Sequence, residues 1–115
     1  MANTFKVVTK AGVTSADVIY TAGTGVTAIV LGLILGNTTT SQITSTVTLT
    51  SDTSGRAGDN DEANQAVELI TNAPIPAGSS LELLSGNKVV LETTDTISVT
   101  GSGATDVALS IMEIT

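Results

Sequence analysis

The sequence predicts an all-β fold: an antiparallel β-sandwich, jelly-roll-like, with about eight strands in a single domain over residues 1–115. Three observations predict it. Residues 42–51 alternate strictly, with Ile43, Ser45, Val47 and Leu49 on one side and Thr44, Thr46, Thr48 and Thr50 on the other. Period two is the mark of a strand with one buried and one wet face. Residues 26–36 (Val-Thr-Ala-Ile-Val-Leu-Gly-Leu-Ile-Leu-Gly) are apolar on both faces, with Val30 and Ile34 on one and Ile29, Leu31, Leu33 and Leu35 on the other, as in a strand covered on both sides. Turn signals recur at short intervals along the rest, and no clear helical period separates them.

Residues 4–10 (Thr-Phe-Lys-Val-Val-Thr-Lys) read as a first strand, followed by a turn around Ala11-Gly12. Residues 17–22 form a second, ended by Gly23-Thr24-Gly25. The apolar strand 26–36 would extend about 36 Å at the usual rise. Gly32 within it marks a bend or a bulge. Residues 37–41 turn the chain into the alternating strand. Residues 52–64 carry three Asp, two Gly and no apolar side chain larger than Ala, which predicts an exposed loop.

Residues 65–71 return as a strand, with a short helix over 61–70 as the alternative. Residues 73–78 (Ala-Pro-Ile-Pro-Ala-Gly) read as a stiff extended connector, because each proline keeps its predecessor out of the helical region. Residues 81–84 and 88–92 flank Ser85-Gly86-Asn87 and predict a hairpin. Residues 96–100 and 106–114 complete the set, the last placing Val107, Leu109 and Ile111 on one face.

Composition narrows the chemistry. The chain has no cysteine and no histidine, so there is no disulfide, no thiol nucleophile, no Cys or His metal ligand and no imidazole base. Phe5 and Tyr20 are its only large rings, leaving almost nothing for bases or sugars to stack on. Four basic against eleven acidic residues give a net charge of −7, which argues against nucleic acid and against an anionic membrane as partners. Residues 1–14 lack the apolar core of a signal peptide, and residues 26–36 are too short to span a bilayer as a helix. The expectation is a soluble chain made without a secretion signal.

Candidate motifs each have a plainer reading. Gly23-Thr-Gly25-Val-Thr-Ala28 has the letters of a dinucleotide fingerprint, but the fingerprint needs a helix next and an aliphatic β-rich run follows. Asp59-Asn-Asp61-Glu62, with Asp52, could offer oxygen ligands to a divalent cation, although Ala63 and Asn64 stand where a calcium-binding EF-hand loop needs an acid or amide and then glycine. A solvated loop is the simpler reading. Asn37-Thr38-Thr39 is a glycosylation sequon in form and a turn in context. Glu68, Glu82 and Glu92 fall on predicted strands, and nothing selects a catalytic pair among them. The expectation is therefore no enzyme: no catalytic residue, no cofactor and no metal.

From Ala73 the run Ala-Pro-Ile-Pro-Ala-Gly-Ser-Ser-Leu-Glu-Leu-Leu-Ser-Gly-Asn-Lys-Val-Val-Leu-Glu-Thr-Thr-Asp-Thr-Ile-Ser-Val-Thr resembles small virion structural proteins of tailed bacteriophages, marine cyanophages among them. Residues 18–33 are similar to the opening strands of that group, and the likeness covers most of the chain except residues 51–64. It implies a capsid decoration, or cement, protein on the outer surface of the head that stabilises the shell. The implied partners are the major capsid protein and further copies of the chain, with a trimer favoured. The implied location is the virion, after synthesis in the host cytoplasm. The alternative within the same resemblance is a tail or head–tail component, a fibre or adaptor module that could bind host glycan. On the assembly reading, Leu31, Leu33 and Leu35 form the expected subunit contact. The other reading of the same strand is a central one inside its own domain.

Overall fold

Alternation along the strands sorts the side chains into an inner and an outer set, and two sheets pack their inner sets together. The computed structural model describes residues 2–51, 63–84 and 86–115. Nine strands are present among them: β1 (Asn3–Val13), β2 (Asp17–Thr21), β3 (Thr27–Asn37), β4 (Ile43–Thr50), β5 (Val67–Ile75), β6 (Ser80–Leu83), β7 (Val89–Leu91), β8 (Thr96–Gly101) and β9 (Thr105–Ile114). One sheet runs β1-β9-β3-β6, with β7 also paired to β3, and the other runs β2-β8-β4-β5. Every pairing is antiparallel. β6 and β7 take successive stretches of β3, Leu33–Gly36 and Ala28–Val30, and so act as one interrupted strand. Two four-membered sheets in this order make a jelly roll.

The core is aliphatic, as the near absence of rings requires. Ala28, Val30, Leu33 and Leu35 of β3 meet Ile43 and Val47 of β4, Ile97 and Val99 of β8, and Val107, Leu109 and Ile111 of β9. Each fully buried Leu or Ile contributes roughly 1.5–3 kcal/mol through the water it leaves. The strict alternation read at β4 is present: Ile43, Ser45 and Val47 are buried, and the threonines between them are not.

Four expectations are corrected. Ala11-Gly12 is no turn: it lies inside β1, where the register shifts between Lys10 and Val13. Gly12 takes a φ of 68° there and donates its N–H to Asp106 Oδ1 at 2.9 Å. The chain turns only afterwards, before β2. The predicted hairpin over 81–84 and 88–92 does not form, because both segments spend their hydrogen bonds on β3. The Pro74 segment is no connector either. β5 continues through it to Ile75, which an edge strand allows, since proline removes a donor that only an interior strand needs. Of the helix offered as an alternative over 61–70, the described residues 63–66 have no regular structure and 67–70 belong to β5. Of the loop 52–64, residues 52–62 lie outside the described residues, including Asp52, Asp59, Asp61 and Glu62.

The fourth correction concerns β3. The predicted bulge is present, with the register against β9 shifting between Val30 and Gly32. A bulge adds one residue and reverses the alternation beyond it. Val30 therefore shares the inner face with Leu33 and Leu35, while Ile29 and Ile34 share the outer one.

Candidate functional site

The expected contact residues do not stay together on the surface. Leu33 and Leu35 are fully buried between the sheets and have nothing left to offer a second chain. Leu31 sits at the bulge, half-buried. What the strand does expose is its other side, and neighbouring strands extend it. The register places Phe5 opposite Met112, Met112 opposite Ile29, and Ile29 opposite Val90, so these four side chains form one row across β1, β9, β3 and β7. Phe5 is 71% exposed, Val7 64%, Val90 56% and Ile34 45%, all on this outer face. Scattered exposed apolar residues need no explanation, but a contiguous set on one sheet face marks a surface that something covers.

The face has relief. Beyond the row of large side chains, Val7 stands beside Ser110 and Gly32. Next come Thr9, Ala108 and Ile34. Around Ala108 and Gly36 the small residues leave a shallow depression of about 360 Å³, and a second of about 180 Å³ lies at Gly32 beside β6.

The opposite outer face is different in kind. In the sheet β2-β8-β4-β5, Thr46 pairs with Thr100, Thr48 with Ser98 and Thr50 with Thr96, which makes a regular array of hydroxyls. Val18, on edge strand β2, is an exposed apolar exception. Threonine suits a strand whose outer face meets water. One face of the sandwich is dressed for solvent and the other is not.

The sheet edges are blunted. β1 points Lys6 and Lys10 inward at the mouth of the sandwich, where Lys6 Nζ lies 2.8 Å from Glu113 Oε1 and Lys10 Nζ lies 3.8 Å from Asp17 Oδ2. Tyr20 donates its hydroxyl to Glu113 Oε2 at 2.5 Å, joining β2 to β9. Lys6 and Tyr20 together hold the Glu113 carboxyl below its ordinary range, and burial pushes the Tyr20 phenol up, helped by its bond to Glu113. β5 carries Pro74, β2 shifts register between Val18 and Tyr20, and the remaining edge is split between β6 and β7. Inward charges, prolines and irregular edges all discourage strand addition from another chain.

The other sequence candidates fall into structural roles. Gly23-Thr24-Gly25 is a turn into a strand, with Gly25 at φ 75°. Asn37 is buried: its amide donates to the carbonyls of Ser41 and Ile75, both at 2.8 Å, and its oxygen accepts from the Thr39 N–H and hydroxyl. The sequon asparagine is thus a fastener between the end of β3 and the end of β5. Glu68 accepts from the Thr71 hydroxyl, and Glu82 and Glu92 are exposed on other segments. Among the described residues, no three acidic side chains gather as a metal site, and no helix is long and apolar enough to cross a membrane.

No protein-family model matches the chain, and no curated protein matches it. Two solved structures are similar in outline. A Bacillus endospore appendage protein, of a family of disulfide-linked pili, aligns at 17% identity and TM-score 0.47 over 99% of this chain and 87% of its own. A chain of the T13 IBDV viral particle aligns at 9% identity and TM-score 0.39 over 96% of this chain and 35% of its own. At such TM-scores neither bears on what this chain does.

Proposed function

We propose that the chain is a non-catalytic structural subunit, a phage virion protein that decorates and cements the outer surface of the head. The observation that carries the structural part is the contrast between the two outer faces. An apolar sheet face beside a hydroxylated one is costly to leave wet and useful when buried in an assembly. The phage part rests on the sequence pattern of residues 18–33 and 73–100. In this reading the partners are the major capsid protein and further copies of the chain, and the side chains supply contact rather than chemistry.

Counting copies per particle in purified virions, by quantitative mass spectrometry, tests the proposal. Hundreds of copies in fixed ratio to the major capsid protein support decoration. A few to a few tens would move the chain to the tail or to the ring joining tail and head. Absence from virions would overturn the virion reading.

A further inference from the structure

We infer that β1 is a hinged strap: residues 3–10 detach from β9 as one unit, about Ala11–Gly12, while the rest of the sandwich stays closed. This goes beyond the proposed function and is tested on the isolated chain.

β1 is attached by its backbone far more than by its side chains. Its length, Asn3–Val13, would suit a core strand, yet within it Val13 alone is buried and Val8 alone is half-buried. The register explains why. Thr4, Lys6, Val8 and Lys10 stand opposite Glu113, Ile111, Leu109 and Val107, so they share the inner face, and Val8 is the one apolar side chain among them. The larger apolar pair, Phe5 and Val7, points away from the core and is exposed. A segment with few buried apolar contacts and an exposed hydrogen-bond ladder opens at a lower free energy than the core beside it.

The hinge is built into the strand. Register with β9 holds from Asn3 to Lys10 and shifts before Val13. Gly12 lies in that gap at φ 68°, a conformation that costs glycine little. Beyond the gap the chain is anchored. Val13 is buried and pairs with Thr105, and the Gly12 N–H is held by Asp106 Oδ1. Opening strands no charge, because Glu113 keeps the Tyr20 hydroxyl when Lys6 withdraws. The Lys10–Asp17 contact, exposed and 3.8 Å long, adds little restraint.

The ladder says which groups opening frees. Ala2 and Thr115 exchange both backbone hydrogen bonds, at 3.1 and 3.0 Å. Bonded pairs of this kind alternate with unbonded ones along an antiparallel ladder. The bonded pairs are therefore Thr4–Glu113, Lys6–Ile111, Val8–Leu109 and Lys10–Val107, with Phe5–Met112, Val7–Ser110 and Thr9–Ala108 unbonded between them. Along β9, the N–H groups of Val107, Leu109, Ile111 and Glu113 point to β1, and those of Ala108 and Met112 point to β3. Detachment of β1 bares the first set alone, the kind of edge that an extended strand pairs with.

Amide hydrogen exchange of the full chain, resolved residue by residue by NMR, reads the two sets separately. Lys6, Val8, Leu109 and Ile111 should share one protection factor, at least about a hundredfold below that of Ala108 and Met112. A lock supplies the control. Val7 and Ser110 face one another as an unbonded pair, whose Cα separation of about 4.5 Å lies within disulfide range, and the chain has no cysteine of its own. Oxidised Val7→Cys/Ser110→Cys should bring the two sets within about threefold of each other, and reduction should separate them again. Equal protection of the two sets in the wild-type chain, or a gap that survives the oxidised lock, would overturn the inference. The wild-type comparison decides alone if the variant fails to fold or to oxidise.

Discussion

Tyr20 and Glu113, 93 residues apart, join the two sheets by a 2.5 Å hydrogen bond from the phenol to the carboxylate. Lys6 completes the group from the other oxygen of Glu113. The contact closes the side of the sandwich where β1 and β2 are both edges, the place where a sheet pair is least held by its own ladder. Tyr20→Phe keeps the ring and removes the bond, so it should cost about 1.5 kcal/mol, as other hydrogen bonds to charged groups do. Urea unfolding of the two proteins, with the slope unchanged, measures it.

The same group sets a pH dependence. The Glu113 pKa is lowered, first by the hydrogen bond from Lys6 and then by that from Tyr20. Its contribution is therefore complete above the ordinary value of 4.5 and is lost as pH falls through the lowered one. The Tyr20 pKa is raised, first by burial and then by Glu113, so that contribution is complete below 10.0 and fades as pH rises beyond it. The gap in Tm between wild type and Glu113→Gln should be steady near neutrality and narrow in acid below pH 4.5. A gap that widened in acid would refute the assignment.

Asn37 donates to the carbonyl of Ile75 in a buried hydrogen bond, and to that of Ser41, which also accepts from the Thr39 hydroxyl. Asn37→Ala should cost about 2–3 kcal/mol, because unpaired buried acceptors carry their full desolvation penalty. Asn37→Asp should be no better, since a carboxylate would face the carbonyl of Ile75. Thermal unfolding of both variants gives the comparison.

Ser45 presents the reverse case. Its hydroxyl is buried on the Ile43 and Val47 side of the core and has no hydrogen-bond partner among the described residues. Ser45→Ala removes an unsatisfied group and leaves little space behind. It should leave stability unchanged or raise it by about 1 kcal/mol. A loss above that size would show that the hydroxyl is engaged.

At Gly101 the backbone forbids a side chain. A Cβ there would lie 2.6 Å from Thr105 Oγ1, 2.7 Å from the Val13 carbonyl and 2.8 Å from the Gly103 carbonyl. Two of the three are backbone atoms that cannot rotate away. Gly101→Ala should cost about 2–3 kcal/mol, the range of overpacked sites, read as a fall in the urea midpoint.

Much of the fold was legible because strand signals are local. The β4 alternation, the glycine turns and the bulge at Gly32 are each visible within a few residues. Their consequences are not always local. The bulge was legible, but alternation read straight through it put Val30 opposite Leu33, and so took core leucines for contact residues. Ser85-Gly86-Asn87 is a sound turn signal, yet a turn does not say whether its flanks pair with each other or with a third strand. Pro74 looked like a strand breaker because edge position is a property of the sheet. The Lys6–Glu113–Tyr20 group could not be found at all from sequence, since three elements meet there only after both sheets close.

The candidate surface was half legible. The two apolar sides of residues 26–36 predicted a strand covered on both sides; the chain's own core covers Leu33 and Leu35, while Ile34 on the other side is half-exposed. Phe5, Val7, Val90 and Met112 join it only through the register of β1, β7 and β9, which no local pattern supplies. Leu33→Asp separates the two versions of the site: with Leu33 fully buried, it should unfold the chain rather than release intact subunits.

The central claim is that this chain works by hiding the apolar face of its β1-β9-β3-β6 sheet. Hydroxyl-radical footprinting of Phe5 and Met112, in the dilute isolated chain and in purified particles, tests it most directly. The account predicts strong protection of both residues in the particle, with the threonine face of β4 and β8 changed far less. Equal reactivity of Phe5 and Met112 in the two states would contradict it.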